Sequence, residues 1–270
     1  MNKKILIIIA AAAVISITLI TFKLTRNSKA INTKGAGTSV SGLLAQEKEL
    51  ESKGDLLAAR AIYQKLVNGF PNSSEVMNWE KKIEDMNIKL LLSPVIIPKS
   101  MLYEIKPGDT LTKIAKQFKT TTDLIMKSNN LSGNTIVPGR KIKVWTAPFN
   151  IFVDKSQNSL ILKSDDEIIK TYVVSTGKNN STPVGTFKIT NKLLNPTWFK
   201  SGAIIPAGSP ENILGTRWLG FDLAGYGIHG TTDPKSLGKQ ATQGCVRMSN
   251  SEVEELYTII PIGTEVTIVD

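Results

Sequence analysis

Cysteine and histidine are almost missing from this chain of 270 residues, which has one of each. A single cysteine excludes an internal disulfide, so stability cannot rest on cross-links. One Cys and one His also leave too few nitrogen and sulfur ligands for a closed zinc site, so no metal and no cofactor is expected. Acidic residues are absent from 1–34, which carry six Lys/Arg, while 35–100 carry eight of each sign. Segment 101–145 has eight bases against three acids, and 146–270 has eleven against twelve. The net charge of +10 therefore sits near the N-terminus and in one short segment. No helix or strand carries the basic stripe of a DNA reader, which argues against a nucleic-acid partner.

What is present begins with an uncharged run of 18 residues, Ile5 to Phe22, preceded by Lys3 and Lys4. That length is at the lower limit for a transmembrane helix and long for the core of a signal peptide. The expectation is an uncleaved membrane anchor over 1–30, with the rest of the chain exported to the periplasm or cell-wall side. A signal peptide cut after Ala30 is the competing reading. Ala30 to Gly42 is rich in Gly, Ser and Thr and reads as a tether.

Residues 43–92 read as helical. Val76, Trp79, Ile83, Met86 and Leu90 recur at steps of three and four, as do Leu56, Ala59, Ile62, Tyr63 and Leu66 on the preceding helix. Gly54, Ala59, Tyr63 and Pro71 resemble part of a tetratricopeptide repeat, and a plain helical hairpin fits as well. Either way the segment is a small all-α spacer, ended by the breakers Pro94 and Pro98. In 101–145, a short strand from Tyr103 and a turn at Pro107-Gly108 lead to an N-cap at Asp109. Thr122 caps a second helix, and Pro138-Gly139 turns into a strand at Lys141–Val144. The order βααβ, with YEIKPGDTL, an Asn-rich stop and IVPGRKIKV, resembles a LysM domain. The resemblance implies α+β structure and binding of N-acetylglucosamine-containing glycan through loops that hold Gly108, Asp109, Thr110 and Asn130.

From Asn150 the pattern changes to period two. Ile151 and Val153, then Leu160 and Leu162, alternate around Ser156-Gln157-Asn158, a hairpin signal. Thr171–Ser175, Thr186–Thr190 and Glu265–Val269 continue the strand character, and Ser251–Ile259 is the one helix. A mainly-β domain over 149–270 follows. Gly225-x-Gly227-x-x-Gly230 imitates a dinucleotide fingerprint, but Thr231-Thr232-Asp233-Pro234 makes a turn where that motif needs a helix.

Both rare residues lie in this domain, in IHGTTDPKSLGKQATQGCVRM. A thiol becomes a strong nucleophile when a base takes its proton, so Cys245 and His229 form a candidate catalytic pair. The plainer reading is a buried structural thiol beside an unrelated histidine. Neighbouring glycines favour chemistry, because they let backbone amides approach a reacting carbonyl. Together, STGKNNSTPVGTFKI, NPTW, GTRWLGF, IHGT and TQGCVRM resemble the L,D-transpeptidase catalytic domain of the YkuD type, with Gln243 where many members carry a second His.

The resemblance implies a cysteine transpeptidase acting on peptidoglycan stem tetrapeptides. Cys245 is then the nucleophile, His229 the base, and Gly244 with Gly230 the oxyanion hole and its support. Arg247 binds a substrate carboxylate or forms an ion pair that fixes its loop. Thr242 and Trp198 are further substrate-binding candidates, Trp198 being equally a core residue. The alternatives are an L,D-carboxypeptidase that gives the acyl group to water, and a non-catalytic wall-binding protein. The implied partners are the stem peptide, the glycan strand and, through the N-terminal helix, a membrane.

Overall fold

The computed structural model of the protein describes residues 39–200 and 202–270. Its helices are α1 (Val40–Ser52), α2 (Leu56–Gly69), α3 (Val76–Leu91), α4 (Leu111–Gln117), α5 (Thr122–Ser128) and α6 (Asn250–Ile259). Its first strands are β1 (Ser100–Glu104), β2 (Lys141–Trp145), β3 (Phe149–Asp154), β4 (Ser159–Ser164), β5 (Glu167–Val173), β6 (Thr176–Gly177) and β7 (Gly185–Leu194). They are followed by β8 (Trp198–Lys200), β9 (Ala203–Ile205), β10 (Arg217–Phe221), β11 (Gly227–His229), β12 (Gln240–Thr242), β13 (Val246–Arg247) and β14 (Glu265–Val269).

The fold class read from the sequence needs one correction. It included an N-terminal transmembrane helix, yet no helix among the described residues is long and apolar enough to cross a membrane. The run Ile5–Phe22, on which that expectation rested, lies outside the described residues.

The helical segment has three helices where the apolar stripes indicated two. Its own core joins Leu43 of α1 to Ala59, Ile62, Tyr63 and Leu66 of α2 and Trp79 and Met86 of α3. A second face of α3, with Ile88 and Leu91, enters the core of the β-domain. Just before Ile88, Asn87 Nδ2 donates to the carbonyls of Ile168 (3.4 Å) and Ile169 (3.0 Å) on β5. The segment is thus packed onto the edge of the large sheet.

In the βααβ module, β1 and β2 pair antiparallel, with Tyr103, Ile114, Ile125 and Val144 among the buried residues. Two caps differ from the expectation by one residue. Thr110 caps α4 and Thr121 caps α5, each hydroxyl accepting a first-turn amide. Asp109 instead closes the turn before α4, accepting from the Lys106 amide and the Tyr103 hydroxyl, both at 2.8 Å. Lys143, 2% exposed, crosses to the C-terminus of α3, where its Nζ donates to the carbonyls of Leu90 (2.7 Å) and Ser93 (2.8 Å). A cation there satisfies carbonyls that the last helical turn leaves free. Burial pushes its pKa down to about 8.

The β-domain is built on an eight-stranded mixed sheet, in the order β13-β11-β10-β7-β14-β3-β4-β5. The expected hairpin is β3–β4, in register from Phe149↔Ser164 to Asp154↔Ser159. α6 lies over the β10–β11–β13 end, burying Val253, Leu256 and Ile259 with Leu219, Ile228 and Val246. That end positions the rare residues.

Candidate active site

Parallel pairing of β11 with β13 matches Ile228 to Val246 and His229 to Arg247. Strand side chains alternate between faces. Ile228 and Val246 point into the core, fully buried. His229 and Arg247 therefore share the other face, and Cys245 is the residue that leads into β13. Sixteen residues apart in sequence, the imidazole ends β11 and the thiol sits in the bend immediately before β13. The fingerprint decoy is resolved as well, since Gly227–His229 is a strand with no helix behind it.

His229 is 2% exposed. Its Nδ1 lies 2.6 Å from the Gly230 carbonyl, which can only accept, so the proton sits on Nδ1 and Nε2 carries the lone pair. The Trp218 ring stacks on the imidazole with centroids 6.1 Å apart, and its indole Nε1 donates to Asn191 Oδ1 at 3.1 Å. Burial pushes the imidazole pKa down to about 4; the Gly230 carbonyl opposes this and the charge of Arg247 adds to it. Cys245 is half-buried, and its thiol donates weakly to the Gly225 carbonyl at 3.5 Å. Burial pushes the thiol pKa up, while the Gly227 amide and Arg247 pull it back. Near neutral pH the two rare residues are accordingly a protonated thiol and a neutral imidazole.

Gly244 shapes the approach to the thiol. Its φ of +131° and the space around it both require glycine, since a Cβ would lie 2.7 Å from the Tyr226 ring and 3.1 Å from the Ser181 carbonyl. Its amide donates to Thr242 Oγ1 at 3.1 Å, and that hydroxyl donates to the Cys245 carbonyl at 2.7 Å. Thr242 thus fixes the backbone on both sides of Gly244. Arg247 is 7% exposed, and its Nη1 donates to Ser236 Oγ at 2.9 Å. Among the described residues no carboxylate forms an ion pair with it, and its buried Nε has no acceptor. Trp198 starts β8, half-buried and in register with Ile205. Gly108, Asp109 and Thr110 lie in the turn before α4 and Asn130 in the turn after α5, within the βααβ module and away from this sheet.

One residue escaped the sequence reading. Asn250, the first residue of α6, accepts at Oδ1 from the amides of Thr216 (3.2 Å) and Thr231 (3.0 Å). A Cβ on Gly215 or on Gly230 would each lie 2.2 Å from that oxygen. Two glycines therefore open the space for one acceptor, which ties α6 to the loop that follows His229. The only trace in the sequence is Ser249-x-x-Glu252, a capping box that starts the helix one residue earlier.

Residues 148–268 match the L,D-transpeptidase catalytic domain and 103–145 match the LysM domain. A protein named L,D-transpeptidase YkuD, from Bacillus licheniformis, is 37% identical over 176 residues, which cover 62% of this chain and 98% of that one. A protein named L,D-transpeptidase YqjB, from Bacillus subtilis, is 44% identical over 126 residues, covering 44% and 70%. Among solved structures, an L,D-transpeptidase from Mycobacterium smegmatis is 21% identical, with a TM-score of 0.41, covering 50% of this chain and 65% of that one. The chain belongs to the L,D-transpeptidase family of the YkuD type, with a LysM domain ahead of the catalytic domain.

Proposed function

We propose that the protein is a cysteine-dependent transpeptidase of peptidoglycan stems, working on the side of the envelope where the wall lies. The observation that supports the reading is the pairing of β11 with β13, which brings the bend holding Cys245 beside the strand that ends at His229, whose Nδ1 proton is held by Gly230. Cys245 attacks the carbonyl of the third residue of a stem tetrapeptide while His229 Nε2 takes the thiol proton. The C–N bond to the terminal D-alanine breaks, its nitrogen receives that proton, and a thioester remains. An acceptor amine then attacks the thioester, His229 removes its surplus proton, and the thiol is restored.

The Cys245 amide serves the developing oxyanion, while the Gly244 amide, donated to Thr242 Oγ1, holds the turn that presents it. The resting thiol and imidazole are both uncharged, and the proton passes to Nε2 as sulfur attacks, so a thiolate–imidazolium pair need not form beforehand. Arg247 offers its unmatched Nε to a substrate carboxylate. The LysM module holds glycan and raises the local concentration of stems.

The test is incubation of the protein with a purified tetrapeptide muropeptide, followed by intact-mass analysis of enzyme and products. Cross-linked dimer with an acyl adduct on the wild type, and neither with Cys245→Ser or His229→Ala, is the expected result. Tripeptide without dimer would identify water as the acceptor instead. An adduct on Cys245→Ser equal to that on the wild type would refute the nucleophile.

A further inference from the structure

One row of residues crosses the large sheet on the face that carries the imidazole. Antiparallel pairing sets Trp218 of β10 opposite Leu193 of β7 on one side and opposite His229 of β11 on the other. Side chains alternate along a strand, so the next row on the same face is Asn191, Gly220 and Gly227. The indole of Trp218 occupies the space which that row leaves open. A Cβ on Gly220 would lie 2.7 Å from the indole Nε1 and 2.6 Å from the Asn191 amide, and one on Gly227 would lie 2.8 Å from the indole Cζ2. Gly227 also needs its bare backbone against the Leu219 carbonyl, 2.5 Å from such a Cβ. At Gly220, by contrast, the three atoms nearest to a Cβ all belong to Asn191 and Trp218.

The indole is aimed as well as packed. Trp218 is half-buried, and its N–H could have been left to water. It donates instead to Asn191 Oδ1 at 3.1 Å, which selects one of the two ways an indole can face about its Cβ–Cγ bond. In that orientation its ring lies 19° from the imidazole plane, with centroids 6.1 Å apart. A hydrogen bond in the ring plane, such as that from His229 Nδ1 to the Gly230 carbonyl, holds the edge of the ring and resists tilting weakly. A near-parallel aromatic neighbour resists tilting and keeps water off part of the ring.

We infer that Trp218, aimed by Asn191, is a positioning residue for His229, holding the plane of the imidazole and limiting water around it while the proton moves. The role of the imidazole as base rests on the function proposed above; its placement by the indole does not.

The chain has one histidine, so isotope-labelled imidazole nitrogens give a single unambiguous pair of NMR signals. Their shifts report tautomer and titration, and are followed in a Cys245→Ala background. Of the groups facing the ring from β13 and the bend before it, Arg247 is then the charged one that remains. Trp218→Leu keeps much of the bulk and removes the ring. It should move the imidazole titration up from about 4 toward its ordinary value and mix the two tautomers. With the thiol present, acylation by a tetrapeptide muropeptide should slow about tenfold at saturation with KM unchanged, the upper end of what one aromatic pair supplies. Trp218→Phe keeps a ring and should recover most of that loss. Asn191→Ala should slow acylation about threefold, the loss of one exposed hydrogen bond. In the Trp218→Phe background it should do nothing, because the N–H it received is gone. Unchanged titration and tautomer in Trp218→Leu would overturn the proposal whatever the rate. A Trp218→Phe enzyme as slow as Trp218→Leu, or an Asn191→Ala effect that persists in Trp218→Phe, would do the same. The imidazole signals need no turnover. A wild type inactive on muropeptide would therefore sink the function proposed above, and the Trp218→Leu titration would still decide this inference.

Discussion

Asn250→Ala is the most informative perturbation, because it touches neither the thiol nor the imidazole. It removes the acceptor shared by the Thr216 and Thr231 amides and leaves the cradle formed by Gly215 and Gly230 empty. Two partly buried amides without an acceptor cost about 2–4 kcal/mol together, less whatever entering water recovers. With a urea slope of about 2–3 kcal/mol per molar, the catalytic domain's midpoint should fall by about 1 M. The same change loosens the loop whose Gly230 carbonyl holds the His229 Nδ1 proton. Acyl transfer should slow by about tenfold, which corresponds to about 1.4 kcal/mol in the barrier. Hydrogen exchange at the Thr216 and Thr231 amides reads the local effect directly and should accelerate. Asn250→Asp keeps the acceptor and adds negative charge at the start of α6, where it is favourable by about 0.3–1 kcal/mol, so it should restore stability and exchange protection. Unchanged exchange at both amides in Asn250→Ala, with wild-type transfer, would refute the reasoning.

Other consequences follow from the same geometry. Folded His229 titrates at about 4 and an unfolded histidine near 6.5, so the unfolded chain binds the extra proton between those values. Stability is then complete above about pH 6.5 and falls by about 3 kcal/mol as pH drops toward 4; urea titrations across that range should show a slope that His229→Gln flattens. Arg247 favours the Cys245 thiolate, so Arg247→Gln should move the pH profile of iodoacetamide alkylation to higher pH, read by intact mass. Gly244→Ala places a methyl 2.7 Å from the Tyr226 ring at a φ of +131°. It should cost about 1–3 kcal/mol and lower the melting temperature, whereas alanine at Gly108, where a Cβ meets nothing within 4 Å, should cost only its backbone strain.

The parts legible in the sequence are those written as local pattern. Alternation at Ile151, Val153, Leu160 and Leu162 gave the β3–β4 hairpin, and three- and four-residue steps gave α2 and α3. The scarcity of Cys and His isolated the candidate pair before any geometry was known. Caps missed by one residue where two good capping residues are adjacent, Asp109-Thr110 and Thr121-Thr122. Only the turn geometry chooses between neighbours that can both accept an amide. α1 was not separated because just Leu43 and Glu47 are buried along it, too few to form a stripe.

Longer-range requirements were invisible for a different reason: each depends on a backbone group supplied by another element. Asn250 has no periodicity to betray it, and its value lies in two amides 34 and 19 residues away. Lys143 sits on a strand where a lysine normally reads as solvated, yet it is buried because α3 ends in carbonyls that need a donor. His229 shows the same logic at the reacting centre. Its burial comes from Trp218, the backbone at Leu214 and the neighbouring strands, none of which lies next to it in sequence, and burial is what keeps the imidazole neutral. A neutral imidazole beside a protonated thiol can take the proton as sulfur attacks. The packing that keeps His229 neutral, as the proposed base role requires, is therefore also what makes the folded domain sensitive to acid.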